Sequence, residues 1–461
     1  MRLAQSIIVL QRLVIRRRFS QRGLHDDSSV SCVHSSSRIS FHPRPTLRYR
    51  AEMESSIEKA WNDRTTDTAD VKDLFSRVRA DSPIPSDIVS RAHFLCAQYL
   101  GGAWKASTID RFSIKQITGG MSNLLFLVQL CDTLSLHHCE PRRALLRIHC
   151  QSDIDQLLSE SVVFTLLSER NLGPRLLGVF PGGRFEQFIP SRPLQCPEIS
   201  EHGLISKISP MVARVHSLDV PIGKEPQLIN RTRAWIDKWS KYEASKEGID
   251  MKCTKAKVDQ SKYPCHLSID SLSAEIDFVE KFLESIHSPV IFSHNDLQEG
   301  NILLIDKEEV GDNDEELALI DFEYCDYNYR GFDLGNHLCE YGLDYACEEH
   351  PFYNVYPEKL RMEDERRRFC SGYMNELYEM ESRDVRLPCD LISGDRTLDL
   401  ERLETEADLF MPISHIFWSC WAFLNAEQSS IAFGFAEYGR DRLAMYFEGK
   451  TRMEEYMRSH Q

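Results

Sequence analysis

Apolar positions first settle into a repeat of three and four after residue 85. Ile88, Ala92, Leu95, Cys96, Tyr99 and Leu100 keep that spacing behind Ser86-Asp87, which can cap a helix, and Gly101-Gly102 ends it. The period then shortens. Runs at 111–117, 124–130 and 144–149 predict strands, the first two flanking the turn Thr118-Gly119-Gly120-Met121-Ser122-Asn123. A helix is expected over 154–170, stopped by Asn171-Leu172-Gly173-Pro174, and then a strand pair at 176–180 and 185–189. Beyond Ser200 helical spacing dominates, at 205–216, 230–242, 269–285, 408–428 and 440–447, with the polar stretch 246–266 reading as a surface insertion. Short strands return at 290–293, 302–305 and 317–320, the last two joined by an acidic loop, 306–316, of the kind that tips a solvated hairpin. The pattern is α+β: a β-rich part with one internal helix, then a mostly helical part.

Composition narrows the picture. Of 461 residues 42% are hydrophobic and 27% charged, as in a globular protein, and 55 Lys+Arg stand against 71 Asp+Glu for a net −16. No basic face is evident outside the N-terminus, so nucleic-acid binding is excluded, and cationic ligands suit the chain better. The first 50 residues hold ten Arg and no Lys against Asp26 and Asp27, a surplus of +8 that leaves −24 for residues 51–461. That Arg- and Ser-rich stretch reads either as a mitochondrial transit peptide or as a basic tail on a cytoplasmic protein. No run approaches the roughly 18 apolar residues of a spanning helix, so a soluble, at most peripheral chain is expected. The 14 Cys include no CxxC pair, and His137-His138-Cys139 lacks a second half at ligand spacing, which favours reduced thiols and a hairpin loop. Residues 51–85 are polar and end in Ser82-Pro83-Ile84-Pro85, a linker, so residues 1–85 are expected to be a disordered extension.

Chemistry concentrates in Phe292-Ser293-His294-Asn295-Asp296-Leu297-Gln298-Glu299-Gly300-Asn301, followed by an apolar run. Asp296 and Asn301 stand five apart, the interval of a kinase catalytic loop, in which the Asp takes a proton from the attacking hydroxyl and the Asn holds magnesium. Twenty residues on, Asp321 in Ile320-Asp321-Phe322-Glu323 ends an apolar strand where a second magnesium ligand would sit. Each fragment alone suits a turn or helix cap. The ordered pair does not arise easily by chance.

The first motif resembles the Brenner motif of choline, ethanolamine and aminoglycoside kinases, and residues 320–337 (IDFEYCDYNYRGFDLGNH) resemble the choline kinase motif. Gly119-Gly120-Met121-Ser122-Asn123, Leu145-Leu146-Arg147, residues 168–174, residues 186–192 and residues 427–438 are similar to the choline/ethanolamine kinase family too, so the resemblance spans roughly residue 86 onward. It implies a two-lobed protein-kinase-like fold, with an ATP-binding lobe at 86–192 and a catalytic and acceptor-binding lobe at 193–461. The implied reaction is ATP-dependent phosphorylation of choline to phosphocholine, the first step of phosphatidylcholine synthesis by the CDP-choline route, with Mg2+ as cofactor and a homodimer as the assembly.

By the same resemblance Asp296, Asn301 and Asp321 are catalytic, Asn301 and Asp321 holding the metal. ATP falls to Gly119, Gly120, Met121, Ser122, Asn123, Arg147, Gln187, Phe188, Ile189, Pro190, Ser191, Arg192 and Gln298. Arg147 takes the place of the usual strand lysine, and Glu160 is either its helix partner or an ordinary surface carboxylate. A quaternary ammonium offers no N–H donors, so its site must use ring faces and carboxylates. Trp418 and Trp421, three apart on a helix, share a face, and with Tyr324, Glu340, Tyr345, Phe433 and Tyr438 they match the family's choline pocket. The family commonly has Cys-Glu-Trp where this chain has Cys339-Glu340-Tyr341, a smaller ring that would loosen the cage or move preference toward ethanolamine. The alternatives are therefore an ethanolamine or dual kinase, and a non-catalytic pseudokinase scaffold.

Overall fold

The computed structural model describes residues 68–78, 82–117, 123–136, 140–149, 154–306, 316–388, 391–429 and 431–460. Residues 1–50, the turn residues Gly119, Gly120, Met121 and Ser122, the cluster His137-His138-Cys139 and residues 307–315 of the acidic loop lie outside the described residues. The chain divides into two compact units, Met1–Ile189 and Pro190–Gln461.

The first unit carries helices α1 (Thr68–Phe75), α2 (Ser86–Tyr99), α3 (Gly102–Ala106) and α4 (Ile154–Arg170) with strands β1 (Phe112–Ile117), β2 (Asn123–Leu130), β3 (Arg143–His149), β4 (Leu176–Phe180) and β5 (Gly183–Gln187). The strands form one antiparallel sheet in the order β1-β2-β3-β5-β4. Strand alternation sets its faces: Ala144, Leu146 and Ile148 of β3 are buried in the core, which leaves Arg147 and His149 on the other side. Against the core face packs the stripe Ile88, Ala92, Leu95, Cys96 and Tyr99 of α2. The cap is not where the sequence suggests. Pro85 stands at the N-cap without a side-chain bond, while Asp87, in the first turn, pairs with Arg77 at 2.7 Å. A side-chain cap contributes about 1 kcal/mol and each buried aliphatic side chain about 1.5–3, so the stripe holds the helix without it.

Part of the expected linker is folded. Val71, Phe75 and Val78 are buried with the α2 stripe, and Phe75 meets Phe126 edge-on at 5.2 Å. Their spacing of three and four was a short apolar stripe within polar sequence. The strand expected at 185–189 runs instead from Gly183 to Gln187, because Gly182, at φ 89°, turns the chain within two residues.

The second unit comprises β6 (Ser191–Pro193), α5 (Cys196–Ile199), α6 (His202–His216), α7 (Leu228–Trp239), α8 (Glu243–Glu247), β7 (Ile249–Asp250), β8 (His266–Leu267), α9 (Ile269–Ser285), β9 (Val290–Ser293), β10 (Ile302–Ile305), β11 (Leu317–Leu319), β12 (Asp326–Tyr329), α10 (Arg330–Glu340), β13 (Leu343–Asp344), β14 (Asn354–Val355), α11 (Glu363–Ser382), α12 (Arg396–Gln428) and α13 (Phe435–Ser459). Its ladders are small: β11-β10-β6, β12-β9, β7-β8 and β13-β14. The insertion is closed by the β7-β8 pair. Helix α12 starts twelve residues before the expected 408, because Asp395 accepts the N–H groups of Thr397 and Leu398 at 3.0 and 3.2 Å and caps its first turn.

Every residue of α10 is buried. Its first residue, Arg330, is neutralised by Glu406 of α12 through bonds of 2.5 and 3.0 Å, without which a lone buried charge would cost about 3–5 kcal/mol. At Gly335 the two helices come so close that a Cβ would stand 2.8 Å from the backbone N of Met411.

Candidate active site

Strand β9 delivers the chain to Asp296, and β10 takes it away from Asn301. Between them the backbone is pinned by side chains from α6 and α10. The carboxylate of Asp333 accepts the N–H groups of His294 and Asn295, both at 2.7 Å, and a bond of 2.9 Å from His216 Nε2. Burial would raise Asp333, but His216 and His294 hold it below the usual carboxylate range. His337 Nδ1 donates to the carbonyl of Leu297 at 2.9 Å, and His294 Nε2 to that of Ile320 at 3.0 Å. Asn295 takes φ 66°, with its amide donating to the Tyr324 carbonyl at 3.0 Å. His294, lowered by burial, is neutral and braces the loop.

Asn301 turns back on the loop: its Nδ2 donates to the Asp296 carbonyl at 2.7 Å and to Asp296 Oδ2 at 3.2 Å. The Ile320 N–H donates to the Asn301 carbonyl at 3.0 Å, which brings Asp321 alongside. Asp321 sits at φ 61°, a left-handed conformation that costs an ordinary residue about 1 kcal/mol and is retained where a side chain must be aimed. Asp296 is pushed well up from the carboxylate range by burial and then by the charges of Asp321, Glu340 and Glu323. Gln298 folds onto its own turn, Oε1 accepting from Gly300 N at 2.9 Å.

The seven acceptor candidates are brought together. Tyr324 meets Trp418 at 5.4 Å, Trp418 meets Trp421 at 5.5 Å, and Phe435 links Trp421 to Phe433 at 5.5 and 5.0 Å. Phe433 then meets Tyr438 at 5.5 Å and Tyr345 at 6.4 Å, and the Tyr345 hydroxyl donates to Glu340 Oε2 at 2.8 Å. Trp418 and Trp421 stand at 84° to each other, edge to face. Glu340 is raised by burial while Arg442 and Tyr345 draw it back. Glu299, near Glu340, is pushed up to about 8, by burial first and then by that charge. Tyr341 lies apart: one helix step from Glu340, its ring packs edge-on against His337 at 5.4 Å. Its smaller ring therefore does not loosen the cage.

In the first unit the expected Arg147–Glu160 pair is replaced by a chain of charges. Arg147 Nε bonds Glu186 Oε1 at 2.6 Å, Arg184 Nε bonds the same oxygen at 2.7 Å, and Arg184 Nη1 reaches Glu160 at 2.8 Å. Register explains it. Arg147 stands directly opposite Arg184 on β5, and Glu186, two residues along on the same face, lies between the guanidiniums. Burial would raise Glu186, yet the two arginines bring it down to about 2.

Gln187 accepts from Arg175 N and Nε, both at 3.2 Å, and Phe188 lies 4.7 Å under the Arg143 guanidinium. Ile189 and Pro190 link the two units' last and first strands, Ser191 pairs with Ile305, and Arg192 is held by Glu198 at 2.6 and 2.7 Å. Asn123 opens β2. Sequence reasoning missed Asp333, His216, Asn336 and Arg442. The first and third stood within the quoted motif as acid and amide on a buried helix, while nothing marked the other two.

A sheet-bearing unit with a buried ion-pair chain, and a helical unit whose Asp-to-Asn loop precedes a hairpin ending in a further Asp, define a phosphotransferase of the protein-kinase-like class. A choline kinase from Cryptosporidium parvum shares this fold with a TM-score of 0.61 and 24% identity, over 79% of this chain and 96% of that one. The profile described as choline/ethanolamine kinase matches residues 114–447. Choline kinase A2 of Caenorhabditis elegans is 38% identical over 419 residues, 85% of this chain and 92% of the relative. A human choline/ethanolamine kinase is also 38% identical, over 83% of this chain and 91% of its own. The chain belongs to the choline/ethanolamine kinase family.

Proposed function

We propose that the protein transfers the terminal phosphoryl group of ATP to the hydroxyl of choline, giving phosphocholine and ADP and so supplying phosphatidylcholine synthesis. The carrying observation is the continuous ring cluster around Glu340 in the same unit as the Asp296 loop. Rings and a buried carboxylate suit a cation without N–H donors. Asp296 accepts the hydroxyl proton as the oxygen attacks phosphorus. Its raised proton affinity has a counterpart in the substrate: a cationic acceptor against Glu340 offsets one of the charges that raise Asp296, so acceptor binding itself favours the base form.

The donor set fits magnesium. Asn301, with Nδ2 committed to Asp296, presents its amide oxygen, and Asp321 adds a carboxylate beside it. Magnesium takes few protein ligands and keeps phosphates and waters, so one amide oxygen and one carboxylate suffice. Bound there, magnesium neutralises charge on the phosphates. Arg147, fixed by Glu186, is the phosphate-binding cation of the first unit in this reading, and the segment 187–192 meets the adenine.

The test is product formation by the purified chain with ATP and magnesium, given choline, ethanolamine or no acceptor. Phosphocholine is expected. Asp296→Ala should lose turnover while retaining ATP binding, and full kcat in that variant would remove Asp296 from the mechanism. The human relative's name, choline/ethanolamine kinase, favours ethanolamine as a second acceptor. A homodimer, checked by sedimentation, and a cytoplasmic location, checked with a fluorescent fusion, complete the reading.

A further inference from the structure

Rings and charge attract choline and ethanolamine alike, since both are monovalent cations. The two differ in donors. A primary ammonium brings three N–H groups that leave water and must be met by acceptors, whereas a trimethylammonium brings none. The placement of acceptors in the cluster therefore decides between them.

Both oxygens of Glu340 already have donors. Arg442 Nη1 reaches Oε1 at 3.3 Å, and the Tyr345 hydroxyl reaches Oε2 at 2.8 Å. Since Tyr345 gives its hydrogen to Glu340, its oxygen accepts from the Tyr438 hydroxyl at 3.0 Å, and both phenol hydrogens are spent within the cluster. Arg442 is itself locked in place. It is fully buried, its Nη2 donates to Ser414 Oγ at 2.9 Å, and its guanidinium lies 5.4 Å from the Tyr438 ring centre. Ser414 in turn donates to Asn336 Oδ1 at 2.7 Å, the same oxygen that receives the Trp418 indole N–H at 2.7 Å. Each oxygen of Glu340 keeps a second lone pair, but a carboxylate pinned at both ends cannot swing to meet incoming donors.

We infer that Arg442 is a specificity-determining residue: together with Tyr345 it occupies the oxygens of Glu340, so that this carboxylate meets the acceptor as a charge rather than as a hydrogen-bond partner, which favours choline over ethanolamine. The inference rests on the choline kinase reading above. Arg442 also places a positive charge near a cation site, but that repulsion falls on both acceptors equally and cancels in their ratio. The competing candidate for N–H recognition is Glu299, buried, with an Oε2 that has no hydrogen-bond partner.

The experiment measures kcat/KM of the full-length chain for choline and for ethanolamine, in the wild type and in Arg442→Met, Arg442→Lys, Tyr345→Phe and Glu299→Gln. Losing one charge-assisted hydrogen bond's worth of discrimination, the choline-to-ethanolamine ratio should fall about tenfold in Arg442→Met and severalfold in Tyr345→Phe. Arg442→Lys should fall between wild type and Arg442→Met, and KM for ATP should stay put in all four. Tyr345→Phe removes a single oxygen and keeps the ring, so it carries the test where Arg442→Met does not fold. Equal losses with both acceptors, leaving the ratio within about twofold of wild type, would overturn the inference. So would a ratio that responds to Glu299→Gln alone. If the wild type phosphorylates neither acceptor, the functional reading fails first and takes this inference with it.

Discussion

Glu186 lies between two guanidiniums on a sheet face, and the arrangement has a measurable acid signature. Its folded pKa of about 2 stands below the model-compound value of 4.5. A depressed carboxylate contributes stability that is fully present above the unfolded pKa and is lost as pH falls toward the folded one, here from about pH 4.5 to about 2. Half-buried His149, brought down from 6.5 to about 4 by desolvation and then by Arg184, adds loss of the same sign between those values. Urea unfolding at pH 7, 5 and 3 should show wild type losing stability steeply and Glu186→Gln, already destabilised, losing about 2 kcal/mol less by pH 3. Parallel curves would contradict this role. Asp296, Asn301 and Asp321 were legible as candidates because neighbours in the chain state the motif. The partner of Arg147 was not, since it depends on which residue the β3–β5 register places diagonally opposite.

At the scale of elements, helix α10 joins the Asp296 loop to the ring cluster, with Asp333 near one end and Glu340 at the other. Its fit against α12 leaves no room at Gly335. Gly335→Ala forces a Cβ within 2.8 Å of backbone and should cost at least about 1–3 kcal/mol, with choline KM rising as Glu340 shifts; an unchanged Tm would show that the helices can part. Asp441 does comparable work for the insertion, accepting N–H groups of Thr254 and Lys255 at 2.6 and 2.7 Å and the Tyr353 hydroxyl at 2.8 Å. Asp441→Asn should therefore raise amide exchange across residues 249–267 well before the rest of the unit loosens. Exchange that rises uniformly would argue against a local anchor. Strands β1 to β4 and β9 to β11, with α4, α9 and the insertion, were readable from period and polarity, whereas β6, β7, β8, β12, β13 and β14, two to four residues each, were too short to show a period. The start of α12 and the ends of α13 were not: Leu398 in the first turn of α12 stands exposed, so the Asp395 cap rather than an apolar stripe begins that helix, and Phe435 and Tyr438, which open α13, read as part of the family motif.

For the whole molecule, the order of the two units along the chain carries a consequence. Asp296, Asn301, Asp321, Glu340, Arg442 and the rings all follow Pro190, whereas Arg147, Arg184 and Glu186 all precede it. A chimera joining residues 1–189 of a relative to residues 190–461 of this chain should thus keep this chain's choline-to-ethanolamine ratio, even if its ATP KM follows the donor; a ratio that tracks the first segment would refute that. Preference for the acceptor is then a heritable block bounded by a single junction. A change of alcohol would then need substitutions only after residue 190, leaving Arg147, Arg184 and Glu186 untouched.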